Sequence, residues 1–307
     1  MDDDGRLGEV LSPVVTPFDD DLRPDGQRLA AHGRWLLEQG VGLAVFGTNS
    51  EANSLSVGEK MGLLDTLVEA GLPPQRMMPG TGCCALADSV ELTRHALGLG
   101  CARVLMLPPF YYKGVSDEGL YRSFAEVVER VGDSRLRIYL YHIPPVAQVP
   151  ISLGLIERLL TAYPGIIAGV KDSSGDWDNT QAMLTGFQPH GFEVFAGSET
   201  FLLANMRGGG RGCISATANV NPAAIAHLAR TWQQPDAEKQ QAGLDAVRDI
   251  FQDYVMIAAL KTAIAHYGGE DQWARLRPPL VELSQEQRGE LVGRLEAAGF
   301  SMPGLGG

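Results

Sequence analysis

Positive charge is scarce in this sequence, and lysine above all: five occur in 307 residues, Lys60, Lys113, Lys171, Lys239 and Lys261. Acidic residues outnumber lysine and arginine by 37 to 25, giving a formal net charge of −12. A surface of that sign repels phosphate backbones and anionic headgroups, which argues against a nucleic acid or membrane partner. It leaves room for an anionic small molecule in a locally positive pocket. Long apolar runs are missing too. The most apolar C-terminal segment, around Val255 to Ala265, contains Lys261 and is too short to span a bilayer. The opening Met1-Asp2-Asp3-Asp4 lacks the basic start and apolar core of a signal peptide, so a soluble, cytoplasmic protein is expected.

Cysteine is sparse, and none of Cys83, Cys84, Cys101 and Cys213 forms a C-x-x-C spacing. Reduced core or loop thiols are the expectation. The six histidines do not fall into H-E-x-x-H or a comparable ligand spacing. The glycine fingerprint of dinucleotide folds is absent after the first expected strand, where Pro17 stands instead. No metal and no cofactor are expected.

What is present is a regular alternation of strand and helix signals. Expected strand ends near Thr16, Gly47, Gly80, Leu107, Tyr141, Lys171, Gly197 and Ser215 recur about every 28 residues. The third of these strands is expected at Arg76 to Gly80, and Gly98 is read as the stop after a helix from Leu86 to Leu97. Ser56-Val57-Gly58-Glu59 fits a capping box. Eight βα units point to an α/β fold, a (β/α)8 TIM barrel with a C-terminal all-helical extension; a doubly wound sheet is the alternative. The barrel is expected over residues 1–232 and the helical region over 233–307. Helical periodicity runs from Ala237 to Tyr267 and from Ser284 to Ala298, and the final Pro303 to Gly307 is expected to be disordered.

One stretch organises the functional reading: Gly165-Ile166-Ile167-Ala168-Gly169-Val170-Lys171-Asp172-Ser173-Ser174-Gly175-Asp176. A short apolar run bounded by turn residues reads as a buried strand, and Lys171 alone among the lysines ends such a strand. A neutral lysine amine is a nucleophile toward carbonyls and forms a Schiff base. A salt-bridged or snorkelling lysine at a barrel rim is the plainer alternative. In a βα barrel the chemistry lies at the C-terminal strand ends. Those ends offer Thr48 and Asn49, Tyr111, Tyr141, Ser198 and Lys171, whose hydroxyls could shuttle the protons of an imine-forming reaction.

At these residues the chain resembles a known family. Gly47-Thr48-Asn49-Ser50-Glu51 is similar to the G-T-T-G-E loop of the dihydrodipicolinate synthase and N-acetylneuraminate lyase family, and Tyr141-His142-Ile143-Pro144 to its Y-N-x-P motif. Gly169-Val170-Lys171-Asp172-Ser173-Ser174-Gly175-Asp176 resembles its G-x-K-D-S-x-G-D motif, and Gly212 to Asn219 its G-x-I-S-x-x-A-N motif. The resemblance implies class I aldolase-type chemistry on pyruvate or another 2-oxo acid together with an aldehyde. It assigns the imine to Lys171, proton relay to Tyr141, and a link between Tyr141 and Tyr111 to Thr48. Tyr111 would act in a neighbouring subunit of a homotetramer built as a dimer of dimers. Thr48 and Asn49 would hold the carboxylate, and Ile214 would line the pyruvate pocket.

Three departures from the family pattern bear on activity. Asn49 and Ser50 alter the loop, and His142 replaces an asparagine but should face away from Tyr141 by strand alternation. True dihydrodipicolinate synthases carry an arginine after Y-N-x-P-x, where this chain has Val146. Gly197-Ser198-Glu199 is also similar to relatives that cleave 4-hydroxy-2-oxoglutarate or keto-deoxy sugar acids, which favours a paralogue over lysine biosynthesis. A hydro-lyase acting through the same imine, and a barrel that binds 2-oxo acid without turnover, are the alternatives.

Overall fold

A computed structural model describes residues 8–306 of the chain. Among these are seven strands, paired in parallel, with helices along the chain between them. The fold is α/β. Contacts divide it into two compact units, one built on Gly8–Leu72 with Ser215–Gly307 and the other on Pro73–Ile214.

In the first unit β1 (Val10–Ser12) pairs with β2 (Gly42–Leu43), Leu11 opposite Gly42 and Ser12 opposite Leu43. Helix Gly26–Glu38 starts where the Asp25 carboxylate accepts from the Arg28 N–H at 3.0 Å. Helix Val57–Glu69 opens on the expected capping box, in which Ser56 and Glu59 each satisfy the other's backbone N–H. The long helical stretch expected from Ala237 to Tyr267 is two helices, Ala237–Gln252 and Met256–Gly268. The second is buried continuously from Ala258 to Ala265, as a helix apolar on all sides must be. A last helix covers Gln285–Ala297, with Ser284 and Gln287 as its capping box. The tail beyond it is more ordered than its composition suggests. The Trp35 indole N–H donates to the Pro303 carbonyl at 3.0 Å.

The second unit is a parallel sheet of β3 (Arg103–Met106), β4 (Arg137–His142), β5 (Ile167–Asp172), β6 (Glu193–Ala196) and β7 (Gly212–Ile214), each bonded to the next. Both sheet faces are covered, so Val104, Leu105, Ile138, Leu140, Val170, Val194 and Phe195 are all buried. The strand expected at Arg76–Gly80 is not there. A 3-10 turn spans Pro74–Arg76, and only a single bridge joins Gly80 to Leu105 of β3. Leu105 donates to the Pro79 carbonyl at 2.9 Å, but Pro79 has no N–H with which to continue a ladder. Gly98 is likewise not a stop. Helix Leu86–Gly98 includes it, and Gly100, at φ 93, takes the left-handed turn.

Gly169, two residues before Lys171, lies where β5 and β6 approach closely. A Cβ there would stand 2.2 Å from the Glu193 carbonyl oxygen and 2.8 Å from the Tyr139 ring. The neighbouring strand's backbone cannot retreat cheaply. Gly169→Ala should therefore lower stability by about 1–3 kcal/mol. Urea unfolding measures this; an unchanged midpoint would contradict the close packing.

Candidate active site

Lys171 and Tyr141 are register partners on β5 and β4, so their side chains leave the same face of the sheet side by side. Both are 2% exposed. The Lys171 Nζ donates to the Tyr141 hydroxyl at 3.2 Å and lies 4.2 Å from the centre of the tyrosine ring. Among the described residues no carboxylate is ion-paired to this nitrogen. Its company is a phenol and an aromatic face.

One residue along, the pair His142 and Asp172 turns to the opposite face. His142 Nδ1 accepts from the Ile151 N–H at 3.0 Å. Asp172 accepts from the Ser174 N–H at 2.9 Å, the Asn179 amide at 3.0 Å and the Thr180 hydroxyl at 2.7 Å. These bonds pin the loop that follows the lysine strand. His142 thus works as structure, holding the backbone that leaves β4.

Other candidates in this unit occupy different settings. Ile214 ends β7 fully buried. Ser198 caps the turn after β6, accepting from the Thr200 N–H at 3.3 Å. Tyr111 is 75% exposed and meets Tyr112 edge-to-face, with ring centres 5.4 Å apart. Lys113 in the same loop donates to the carbonyls of Phe110 and Ala147. A cavity of about 670 Å³ lies away from Lys171, at the N-terminal ends of β3 to β6, among Arg103, Arg137, Tyr139 and Glu193. There the Tyr139 hydroxyl donates to Glu193, which Arg211 also approaches at 3.4 Å. Polar networks at this end of a barrel serve stability.

In the unit containing β1 and β2, Thr48 and Asn49 lie in the 3-10 turn Thr48–Ser50 that follows β2. Behind that turn is a buried polar network that no sequence motif assigned. Lys261 is fully buried and donates to Glu51 Oε1 and to the Thr16 carbonyl, each at 2.8 Å. The second Glu51 oxygen accepts from the Arg277 backbone N–H at 3.0 Å. The Arg277 guanidinium binds Glu59 and the carbonyls of Leu22 and Ser54. Both cations lie over the Phe18 ring, Lys261 at 4.6 Å and Arg277 at 4.9 Å. Burial pushes the Lys261 pKa below its ordinary value, while the Glu51 charge works against that shift. Arg277 holds the Glu59 carboxyl down at about 2. The signal available in sequence was faint: a lone lysine in an apolar helix, and the last residue of the loop motif.

Two predictions follow from these buried charges. Lys261→Met alone strands the Glu51 carboxylate in the interior and should cost about 3–5 kcal/mol, whereas adding Glu51→Gln should recover part of the loss. Denaturant unfolding of the single and double variants measures it. The second concerns acid. Burial lowers the His142 pKa below the ordinary 6.5, with Asp172 opposing, and burial takes His32 down to about 4. The unfolded chain then binds protons that the folded chain refuses. Stability should be complete above pH 6.5 and fall as pH drops below it, and His142→Gln should flatten the slope. An identical slope in the variant would show that His142 does not titrate with unfolding.

Comparison with known proteins fits this arrangement. The model of the dihydrodipicolinate synthetase family matches residues 6–298. An uncharacterized DapA-like lyase of Chloroflexus aurantiacus is 33% identical over 91% of this chain and 92% of its own length. Dihydrodipicolinate synthase from Agrobacterium tumefaciens superposes with a TM-score of 0.87 at 32% identity, covering 95% of this chain and 99% of that one. YagE from Escherichia coli, a prophage protein of the same family solved with pyruvate, gives 0.87 at 25% identity over 96% and 99%. With a buried lysine and tyrosine paired on adjacent strands and a family match along nearly its whole length, the chain belongs to the dihydrodipicolinate synthetase family.

Proposed function

We propose that this lyase condenses and cleaves aldols through a Schiff base between Lys171 and pyruvate or a related 2-oxo acid. The observation that carries the reading is the buried Lys171 Nζ within 3.2 Å of the Tyr141 hydroxyl. The free amine adds to the ketone carbon and passes one proton to the oxygen, and Tyr141 gives a second, so that the oxygen leaves as water. The protonated imine draws electrons from the neighbouring carbon, whose proton the Tyr141 phenolate takes back to give an enamine. That enamine attacks the aldehyde carbon, and Tyr141 protonates the new alkoxide. Water then hydrolyses the imine, freeing product and restoring the amine. Cleavage runs the same steps in reverse.

By resemblance, Thr48 and Asn49 hold the 2-oxo acid carboxylate, Ile214 and Ser198 line the substrate site, and residues 1–232 form the catalytic (β/α)8 barrel ahead of a helical region at 233–307. Tyr111 is exposed within its own chain, as a residue serving a neighbouring subunit would be, and we assign it to a partner in a homotetramer.

The substrate reading turns on Val146, which is 61% exposed in the short helical turn Pro144–Ala147. An arginine fork at that place would add a charge-assisted contact of roughly 1.5–3 kcal/mol to an aldehyde carboxylate. Valine adds none. The enzyme is accordingly proposed as an aldolase for 4-hydroxy-2-oxoglutarate or a keto-deoxy sugar acid, with dihydrodipicolinate synthesis or sugar-acid dehydration as the competing readings.

Borohydride reduction in the presence of pyruvate should label Lys171 and neither Lys113 nor Lys261, as read by peptide mass mapping. A Lys171→Ala protein that still traps pyruvate would overturn the assignment. Tyr141→Phe should lower kcat by about 10²- to 10⁴-fold. A coupled reductase assay should find weak condensation with aspartate semialdehyde and better turnover on 4-hydroxy-2-oxoglutarate. Efficient, saturable synthesis from the semialdehyde would reverse the substrate choice.

A further inference from the structure

We infer that Glu51, Lys261 and Arg277 form a clamp that positions the Thr48–Asn49 turn to receive the substrate carboxylate. The inference rests on the 2-oxo acid reading above and adds residues to which that reading gives no part. Its starting point is backbone conformation. Phe46 at φ 63 and Glu51 at φ 55 are both left-handed without being glycine, and they bracket the four residues Gly47 to Ser50. Strain of this kind persists only where the surroundings over-determine it, and it gathers at functional sites.

The surroundings are the clamp. Lys261 holds the Glu51 carboxylate and the Thr16 carbonyl, and the Thr16 hydroxyl in turn donates to the Ser50 carbonyl at 2.7 Å. Arg277 fastens the other Glu51 oxygen through its backbone N–H, and its guanidinium reaches the Ser54 carbonyl at 2.6 Å. The end of the turn and the residues after it, Ser50 to Ser54, are thus tied to the C-terminal helical segment and to the loop after it. Within the turn, Gly47 donates to the Ser50 hydroxyl at 3.2 Å. Asn49, by contrast, makes no hydrogen bond among the described residues, with either its carboxamide or its backbone N–H. A rigidly held turn that leaves such donors unspent suits an anion. The three clamp residues are positioning residues, acting on substrate only through Thr48 and Asn49.

The test uses the whole protein and two ketones, pyruvate and its uncharged methyl ester, with Lys171 adducts trapped by borohydride and counted by mass spectrometry. The probing variant is Glu51→Gln/Lys261→Met, which leaves neither member of the buried pair charged without its partner. Half-saturation by pyruvate should rise by roughly 10-fold or more, the scale of loss that a misplaced binding group brings. Half-saturation by methyl pyruvate should stay within about 2-fold, because the ester has no carboxylate for the turn to hold. Parallel weakening of both ketones, or no change for pyruvate, would overturn the clamp and leave the Schiff-base reading standing. Should the double variant fail to fold, Arg277→Lys keeps the backbone contact but loses the fork, and a smaller selective loss for pyruvate is expected. Equal losses for both ketones in that variant would again overturn it. If the unaltered protein traps neither ketone at Lys171, the Schiff-base reading itself falls, and the clamp's proposed role with it.

Discussion

Register pairing between β4 and β5 is the constraint on which the candidate chemistry depends. Parallel strands lie roughly 4.8 Å apart, and partners across them project the same way. Tyr141 and Lys171 are such partners, so the phenol and the amine meet without either reaching across open space. The next pair, His142 and Asp172, takes the opposite face and ties down the loops that leave the two strands. A slip of β4 by one residue would turn Tyr141 to the opposite face and place the imidazole where the phenol belongs. Gly169 protects this register from the side, since only a residue without a Cβ lets β5 lie so close to β6.

Two buried lysines are accommodated in opposite ways. Lys261 is enclosed with a carboxylate, a carbonyl and an aromatic ring, with every contact arranged to keep a cation. Its burial is costly, and removing one partner costs more than replacing both. Lys171 meets a hydroxyl and a ring face and, among the described residues, no carboxylate. Burial alone would not have distinguished them; the chemistry of the neighbouring oxygen does.

The reading of secondary structure succeeded where side-chain patterning was strong and failed where backbone donors decided the outcome. Helix Asp117–Val131 has a clean apolar stripe of Leu120, Phe124, Val127 and Val128, and its limits are those its sequence suggests. Arg76–Gly80 looked like a strand by composition, yet Pro79 leaves the ladder without a donor and one bridge remains. Gly98 read as a stop, although a helix tolerates a glycine in its last turn when a second glycine two residues later takes the left-handed turn. The break at 253–255 in the expected long helix carries no glycine or proline, so periodicity ran through it unseen.

By itself the sequence determined the strand–helix alternation, the single lysine at the end of an apolar strand, and the tyrosine near the end of the strand before it. These are local properties, written in periodicity and in motifs of four to eight residues. Tertiary structure alone decided which residues became partners. Glu51 and Lys261 are separated by 210 residues, and Arg277 and Glu59 by 218, and nothing local in either segment announces the other. A buried charge must find its counter-charge wherever the folded chain brings one within about 3 Å, and that distance is a property of packing, not of order along the chain.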